Sequence, residues 1–321
     1  MRDLHKSLAA LRALGGKLES LIAAARGAAA IKPRVSSGTA SGLVELTGFG
    51  SNPGNLRMLA YAPNRISRNP ALVVALHGCG QTAAEYNHGS GWATLAERHG
   101  FVVVYPEQIE ANNPKCCFSW FLPADIARDQ GEARSIHEMT AHAIAKFGID
   151  RRRVYATGLS AGGAMASAML ATYPEVYAGG AIIAGLPYGC ARNVQQALEA
   201  MFTEKTYSAG ALAGHVRRAS KHSGRWPKVS VWHGSADQIV KPSNADHIVR
   251  QWTELHGLDS TPSYCQPIGR HTRCVWNDAS GDPLIEAYSL AGMAHGVPLD
   301  ASTTGEGCGA AGPSYTDDAL S

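Results

Sequence analysis

The chain has 321 residues, of which 45% are apolar and 17% are charged. It therefore has enough apolar residues for a large core, which excludes disorder of the whole chain. No stretch approaches the roughly 18–20 uninterrupted apolar residues of a membrane-spanning helix. The formal charge of +3 is too small to indicate nucleic acid as the main partner. We expect a soluble globular protein.

Residues 1–34 differ from the rest of the chain in charge, because seven basic and two acidic residues give them a net charge of +5. Leucines recur there with helical spacing, at Leu4, Leu8, Leu11 and Leu18. The segment is predicted to form a basic amphipathic helix that docks on the domain surface. Attachment to a membrane or to a hydrophobic particle is the alternative. An arginine interrupts the longest apolar run, so this is not a typical secretory signal.

Strands and helices alternate through the remaining residues 35–321. Residues 33–70 are predicted to form turns with short strands. The predicted longer strands are Ala71–Leu76, Phe101–Tyr105, Arg153–Thr157, Ala181–Ala184, Val229–His233 and Glu286–Leu290. The predicted helices are Trp92–His99, Glu132–Phe147, Ala161–Tyr173 and Ser243–His256. This alternation predicts one α/β domain with a mostly parallel central sheet and helices on both faces. Only the stretch 191–226 fits poorly, and we expect a cap or a loop excursion there.

The strongest chemical signal is the pentapeptide Gly158-Leu159-Ser160-Ala161-Gly162 between a predicted strand and a helix of small residues. This GxSxG pattern in a strand–turn–helix context is typical of a nucleophile elbow. A serine at the apex of so tight a turn leaves no room for neighbouring Cβ atoms, which explains a glycine on each side. The N-terminus of the following helix also favours developing negative charge. We predict that Ser160 is a nucleophile.

A serine nucleophile needs a base and an orienting carboxylate. Sheets that carry this elbow supply the three groups in the chain order Ser, Asp or Glu, His, from loops after later strands. Asp237 follows the strand Val229–His233, and His295 follows Glu286–Leu290. We therefore predict a triad of Ser160, Asp237 and His295. The weaker rivals are Asp246 for the carboxylate and His233 and His271 for the base.

An oxyanion hole is the third requirement of such a site. Its donors are usually the backbone N–H after the nucleophile and one from the loop after an early strand. Here these are the N–H groups of Ala161 and of Cys79, which lies in the His-Gly loop after Ala71–Leu76. We interpret His77 as a structural residue that shapes this loop rather than as a base, and Cys79 as a loop residue rather than as a thiol nucleophile.

Together these features resemble the polyhydroxybutyrate depolymerase family of esterases, which has the α/β-hydrolase fold. The similar segments cover roughly residues 70–313, and in this order they are far more specific than GxSxG alone. They are His77–Gln81, Cys116–Phe121, Asp129–Glu132, Gly158–Gly163, Ala184–Cys190, Trp232–Asp237, Gly292–Gly296 and Cys308–Pro313.

The resemblance implies serine-dependent hydrolysis of esters through an acyl-enzyme, with no metal and no organic cofactor. Family members cleave short-chain polyhydroxyalkanoates, and relatives act on feruloyl or acetyl esters of plant cell walls. The residues expected to bind substrate are Trp120, Phe121, Tyr188 and Gln81. The expected partners are an ester substrate and, through residues 1–34, a hydrophobic polyester, granule or membrane surface.

Seven cysteines are many for a reducing compartment, and their odd number leaves at least one unpaired. Cys265 and Cys274 flank a plausible turn, so a local bridge between them is expected. The cysteine spacings match no zinc site. The cysteine content and the resemblance favour export, whereas the missing typical signal leaves a cytoplasmic location open.

The resemblance also suggests further disulfides. One would join Cys79 to Cys116 or Cys117 and tie the oxyanion loop to the substrate cleft. Another would join Cys190 to Cys308.

Two other functions compete with an esterase. A peptidase of the same fold would need a gating domain or an exopeptidase recognition element, and neither is visible. A non-catalytic protein could use the basic helix to coat a hydrophobic surface, but it would gain nothing from a complete Ser, Asp and His set. The absence of a separate polymer-binding module also favours small esters or oligomers as substrates.

Overall fold

The computed structural model describes residues 42–299, which form one sheet of ten strands in that range. The strands are β1 (Val44–Leu46), β2 (Arg57–Tyr61), β3 (Leu72–Leu76), β4 (Val102–Glu107), β5 (Val154–Leu159), β6 (Gly179–Ile183), β7 (Lys228–Gly234), β8 (Tyr264–Ile268), β9 (His271–Asn277) and β10 (Pro283–Leu290). The predicted N-terminal helix, its boundary with the catalytic domain and Cys308 lie outside the described residues.

The strands are ordered β1-β2-β4-β3-β5-β6-β7-β10-β9-β8. From β4 to β10 every neighbouring pair in this order is parallel, and antiparallel strands flank this centre on both sides. All five residues of β3 are buried, as expected for a parallel strand covered on both faces. The mostly parallel α/β-hydrolase sheet predicted from the sequence is therefore confirmed.

Helices cover both faces of this sheet. In the described range they are α1 (Ala83–Ser90), α2 (Trp92–His99), α3 (Pro123–Ile126), α4 (Gly131–Phe147), α5 (Ala161–Thr172), α6 (Val194–Phe202), α7 (Ala209–Ala219) and α8 (Ser243–His256). Leu72, Val74 and Leu76 of β3 pack into a large core with α4, α5, α7 and α8. Val73 and Ala75 point the other way, into a smaller core with α1 and α2. None of these helices is long and apolar enough to cross a membrane.

The predicted cap or loop excursion at 191–226 is instead occupied by two helices. Leu212, Ala213 and Val216 of α7 are buried, and α7 packs closely on α8, so it belongs to the helical layer of the sheet. By contrast, α6 contributes Ala197 and Ala200 to a third, smaller apolar cluster. Both helices begin at residues whose side chains accept from the first turn, Asn193 and Ser208.

The parallel register places the loops of interest along one edge of the sheet. Leu76 of β3 pairs with Gly158 of β5, and Leu290 of β10 pairs with Gly234 of β7. Because the carboxyl ends of parallel strands lie at the same edge, the segments after these four strands converge there.

Candidate active site

Ser160 lies between the end of β5 and the start of α5, with φ of 58° and ψ of −117°. Such a positive φ is rare for a residue with a side chain and is typical of a strained, functional turn. The Ser160 N–H donates to the Ile183 carbonyl at 2.9 Å, which ties the turn to β6. The backbone thus has the sharp strand-to-helix turn that the GxSxG pattern predicts.

Two glycines make this turn sterically feasible. A Cβ atom on Gly162 would lie 2.2 Å from the Leu76 carbonyl oxygen and 2.5 Å from that of His77. A Cβ on Gly158 would lie 2.4 Å from the Gly162 carbonyl oxygen. Both glycines are therefore required by close backbone approach, and Gly162 presses the elbow directly against the end of β3.

Asp237 and His295 come together at the ends of the adjacent strands β7 and β10. His295 Nδ1 lies 2.7 Å from Asp237 Oδ2, and the Asp237 side chain is fully buried. The other carboxylate oxygen, Oδ1, accepts from the N–H groups of Ile239 at 2.8 Å and Val240 at 2.9 Å. Burial alone would raise the pKa of Asp237, but hydrogen bonds from His233 and His295 outweigh it and hold that pKa well below its usual range. Asp237 is therefore an anion that can hold an imidazole in one orientation.

The backbone also joins the two loops. The Ala236 N–H donates to the Met293 carbonyl at 3.0 Å. A Cβ atom on Gly234 would lie 2.2 Å from the same carbonyl oxygen. Gly234 thus allows the loop that carries His295 to contact the end of β7.

The three rival residues occupy other places. Asp246 is exposed in the first turn of α8. His271 is buried on β9, and its Nδ1 accepts from the Ala291 N–H at 3.0 Å. His233 is buried with its Nε2 3.1 Å from Asp237 Oδ2. It therefore contacts the same carboxylate as His295, which sequence reasoning had not anticipated.

The two predicted oxyanion donors lie in segments that meet at the elbow. The Ala161 N–H belongs to the first turn of α5, where N–H groups have no partner inside the helix. Cys79 lies in the loop after β3, and within residues 42–299 its N–H has no acceptor. The Gly162 contact described above brings this loop to the elbow.

His77 fixes the peptide unit that carries the Cys79 N–H. The Gln108 N–H donates to His77 Nε2 at 3.0 Å, so the ring proton of neutral His77 is on Nδ1. Nδ1 lies 2.8 Å from the Gly78 carbonyl oxygen and donates to it. That carbonyl and the Cys79 N–H point in opposite directions across one trans peptide bond. The interpretation of His77 as a loop-shaping residue agrees with these contacts.

A buried carboxylate binds Gln108, the residue whose N–H donates to His77. Glu132 of α4 accepts from Gln108 Nε2 at 2.6 Å and from the Ser119 N–H at 2.8 Å. Burial raises its pKa to about 7, although the hydrogen bonds from Ser119 and Gln108 oppose the rise. Sequence reasoning named Glu132 only as part of a motif and missed Gln108. The position of that motif at the start of a predicted helix gave no indication of the contact.

The structure contains two disulfides in the described range. Cys79 is bonded to Cys117, so the expected tie between the oxyanion loop and the 116–121 segment is present and Cys117 is the partner. Cys265 is bonded to Cys274, as expected, across the hairpin of β8 and β9. Cys116 is a free thiol and Cys190 is buried. The suggested Cys190–Cys308 bridge remains a prediction, because Cys308 is not described.

The predicted substrate-binding residues separate into two groups. Trp120 and Phe121, whose rings meet edge to face at 5.4 Å, share an apolar cluster with Ala161, which follows Ser160, and with Val240, whose N–H donates to Asp237. Tyr188 instead packs against the large core. Gln81 is buried, and its Oε1 accepts from the Gly78 N–H at 2.7 Å. Trp120 and Phe121 therefore belong to the same apolar cluster as Ala161 and Val240, whereas Gln81 binds the loop after β3 and Tyr188 packs on a different cluster.

The site thus combines a strained serine, an imidazole bound to a buried carboxylate and backbone N–H groups at a helix N-terminus. These are the parts needed for nucleophilic attack on a carbonyl group. Among residues 42–299, no group of three His, Cys, Asp or Glu side chains could hold a metal ion.

Comparisons with known proteins agree on one family. The family model described as esterase PHB depolymerase matches residues 58–270. The chain is 46% identical over 294 residues to poly(3-hydroxyalkanoate) depolymerase C of Paucimonas lemoignei, covering 90% of this chain and 70% of that protein. It is 33% identical to feruloyl esterase B of Talaromyces stipitatus, covering 82% of this chain and 74% of that protein. The structure of an acetyl xylan esterase from Aspergillus awamori aligns with a TM-score of 0.75 and 29% identity, covering 80% of this chain and 95% of that one.

Proposed function

The chain belongs to the esterase PHB depolymerase family and is a carboxylic ester hydrolase, and from that premise we propose that Ser160, Asp237 and His295 are its catalytic triad. The observation that carries this proposal is the 2.7 Å contact between Asp237 and His295, at the sheet edge where the Ser160 elbow also lies. Because Nδ1 of His295 faces the carboxylate, Nε2 is the nitrogen left to act on the serine hydroxyl.

The reaction then proceeds in two halves. His295 takes the Ser160 proton as Oγ attacks the ester carbonyl carbon, and a tetrahedral oxyanion forms. When this intermediate collapses, the ester C–O bond breaks and His295 gives its proton to the leaving alcohol, so that the acyl group stays on Ser160. A water molecule then attacks the acyl carbonyl, with His295 again as the base. Collapse of the second intermediate releases the acid and restores the serine.

The N–H groups of Cys79 and Ala161 stabilise both oxyanions in this mechanism. Removing one such donor from a serine hydrolase costs on the order of 10²–10³ in turnover. His77 orients the Cys79 donor through the Gly78 carbonyl, and Asp237 keeps His295 in the tautomer that leaves Nε2 free. The nucleophile, the base, the orienting carboxylate and the oxyanion donors that acyl transfer requires are therefore all assigned to residues.

The proposed substrates are polyhydroxyalkanoate or short-chain hydroxyacid esters, with Trp120 and Phe121 in contact with the apolar acyl chain. The 46% identity to a poly(3-hydroxyalkanoate) depolymerase favours this class. The structural match to an acetyl xylan esterase and the identity to feruloyl esterases favour a second candidate, a cell-wall acetyl or feruloyl ester.

Two disulfides support export to an oxidising compartment, since such bonds are rare in a reducing cytosol. The net charge of +5 on residues 1–34 supports contact of that segment with a polyester or granule surface. Deleting residues 1–34 should then abolish binding to the polymer and leave hydrolysis of a soluble ester unchanged.

The decisive experiment is release of 3-hydroxybutyrate from amorphous polyhydroxybutyrate, together with turnover of 4-nitrophenyl butyrate. Ser160→Ala should lower both by at least about 10⁴-fold, because the nucleophile is lost. Ser167→Ala is the matched control, since Ser167 is buried in α5, the helix that follows Ser160, with no hydrogen-bond partner for its hydroxyl.

Activity of Ser160→Ala comparable to that of the wild type would overturn the triad. Turnover of 4-nitrophenyl butyrate without any release from the polymer would instead support the cell-wall ester candidate. Polymer binding without turnover of any ester would support a non-catalytic surface protein.

A further inference from the structure

His233 is the second imidazole on the Asp237 carboxylate. Its Nε2 lies 3.1 Å from Asp237 Oδ2 and 2.9 Å from the Val240 carbonyl oxygen. The side chains of His233 and Asp237 are 3% and 0% exposed, so water does not compete for these contacts. His295 Nδ1 contacts the same oxygen, Oδ2, at 2.7 Å. One carboxylate oxygen is therefore shared by two histidines.

The Val240 carbonyl determines where the proton of His233 is. A carbonyl oxygen can only accept a hydrogen bond, so Nε2 of His233 must carry a hydrogen, which points between Val240 and Asp237. The other nitrogen, Nδ1, is buried without any hydrogen-bond partner. His233 therefore keeps a buried, unsatisfied nitrogen, which has an energetic cost, in a position where its Nε2 donates to Asp237.

We propose that His233 is a positioning residue of the triad, which fixes the Asp237 carboxylate for His295 by donating to the oxygen atom that both histidines share. This inference rests on the proposed catalytic roles of Asp237 and His295. Four donors surround the carboxylate: the backbone N–H groups of Ile239 and Val240 on Oδ1, and the two imidazoles on Oδ2. Of the two imidazoles on Oδ2, His233 belongs to strand β7, whereas His295 lies on a loop.

Because both histidines contact Oδ2, His233 should affect the pH dependence of kcat/KM. The ionisable groups that act on Asp237 are His233 from β7 and His295 from the loop after β10. A donor to a carboxylate reduces the strength with which that carboxylate attracts a second proton donor. Without His233, Asp237 would hold protonated His295 more strongly. Catalysis needs unprotonated His295, so the acid limb of the kcat/KM profile would move to higher pH.

The experiment compares variants of His233 with a matched variant elsewhere. His233→Phe keeps a buried ring but removes the donor, whereas His233→Gln keeps an N–H at the position of Nε2. His256→Phe is the control, because His256 Nε2 also contacts a backbone carbonyl oxygen, that of Pro227, at 3.0 Å. Turnover of 4-nitrophenyl butyrate is measured from pH 5 to 9, together with Tm.

We expect His233→Phe to move the acid limb upwards by about 0.5–1 pH unit. It should also lower the pH-independent value of kcat/KM by about 10-fold, because Asp237 is no longer fixed for His295. His233→Gln should restore the wild-type limb, and His256→Phe should lower Tm without moving the limb. An unmoved limb in His233→Phe, with a loss of activity no larger than that of His256→Phe, would overturn the proposal and leave His233 a merely structural residue.

Two further comparisons keep the test decisive. If His233→Phe does not fold, His233→Asn replaces it, because the shorter amide cannot reach Asp237 while His233→Gln can. Asn and Gln variants with the same limb would also overturn the proposal. Ser160→Ala separates the two hypotheses: an active Ser160→Ala refutes the triad itself, whereas an inactive one with an unmoved His233→Phe limb refutes only the role of His233.

Discussion

The loop that carries the proposed oxyanion donor, the N–H of Cys79, and the loops that carry Asp237 and His295 are held in place by different means. The Cys79 loop is cross-linked to Cys117 and supported from behind by buried Glu132. The loops of Asp237 and His295 have no disulfide between them among the described residues. Hydrogen bonds to the carboxylate and the close contact at Gly234 hold them instead.

The difference follows from which atoms would react in the proposed mechanism. On the oxyanion side the working groups are backbone N–H groups, whose direction is set only by the path of the chain. That path is fixed by contacts between distant segments. On the acid–base side the side chains themselves react, so each can be oriented by hydrogen bonds to its own polar atoms. The oxyanion side, which is the Cys79 loop, should therefore respond to changes in backbone packing. The acid–base side, which is the loops of Asp237 and His295, should respond to changes in hydrogen bonding and pH.

The largest effect in this comparison is expected at two glycines. Gly162 packs the elbow against the end of β3, and Gly234 packs the end of β7 against the loop of His295. Gly162→Ala would push a methyl group to 2.2 Å from the Leu76 carbonyl and 2.5 Å from that of His77, so the elbow must move away from the oxyanion loop. We expect kcat on 4-nitrophenyl butyrate to fall by about 10³-fold and Tm to fall. Gly234→Ala should displace only the His295 loop and lower kcat by about 10²-fold.

Gly210→Ala is the control for both, because a Cβ at this position in α7 meets nothing within 4 Å. It should leave kcat unchanged and stabilise the helix by up to about 1 kcal/mol. Equal kcat values for Gly162→Ala and Gly210→Ala would contradict the packing argument.

An intermediate effect is expected from the disulfides, which close loops of different length. Cys116 and Cys117 are both replaced by Ser, so that the free thiol cannot take over the bond to Cys79. The sequence separation of 38 predicts a loss of stability of about 4 kcal/mol, and the separation of 9 for Cys265–Cys274 predicts about 2.5 kcal/mol. Urea unfolding measures both.

Only the first of these variants should affect turnover. Loss of the Cys79–Cys117 bond frees the oxyanion loop, and we expect kcat to fall by about 10-fold or more. The Cys265→Ser, Cys274→Ser variant changes a hairpin at the far edge of the sheet and should keep its kcat. Full turnover in both disulfide variants would contradict the expected difference between the oxyanion side and the acid–base side.

Glu132 is expected to have the smallest effect on turnover, because its charge state acts on stability. Its pKa is raised from 4.5 to about 7 by burial, so the folded state favours the protonated form. The corresponding stabilisation is complete below pH 4.5 and is lost as the pH rises to 7. Each pKa unit corresponds to about 1.4 kcal/mol, so the loss is on the order of 3 kcal/mol.

Glu132→Gln cannot ionise and should lack this pH-dependent loss. The free energy of unfolding of the wild type should therefore fall relative to that of Glu132→Gln between pH 4.5 and 7. Urea titrations at four pH values in this window measure the difference. Parallel stability curves would show that Glu132 does not titrate as its burial implies.

The central sheet could be predicted because strands such as β3 are continuous apolar runs. Helices α1, α6 and α7 were missed because they are short, and α1 and α7 also contain many small residues. Their signals were in the caps: Thr82 and Glu85 form a capping box at the start of α1, and Asn193 and Ser208 cap the other two. The hairpin of β8 and β9 was missed because its sequence alternates poorly, although its turn at Gly269-Arg270 was expected.

The candidate site could be predicted as far as chain position determines it. Ser160, Asp237 and His295 each follow a strand, and their order was enough to predict that Asp237 and His295 meet, as their 2.7 Å contact shows; their catalytic roles stay a proposal. The contact of His233 with Asp237 could not be predicted, because it requires the loop after β7 to fold back until the Val240 carbonyl and the carboxylate face one imidazole. The contact between Glu132 and Gln108 depends on the packing of α4 behind two loops, for which no local pattern exists.

The pairing of β10 with β7 also has a consequence for biosynthesis. The elbow needs only β3, β5 and β6, all of which precede residue 184, whereas His295 emerges from the ribosome more than a hundred residues later. A nascent chain can therefore contain the complete Ser160 turn before the proposed base has been made. If His295 is that base, activity is expected only after β10 has paired with β7, so its appearance during synthesis would report the formation of this strand pair.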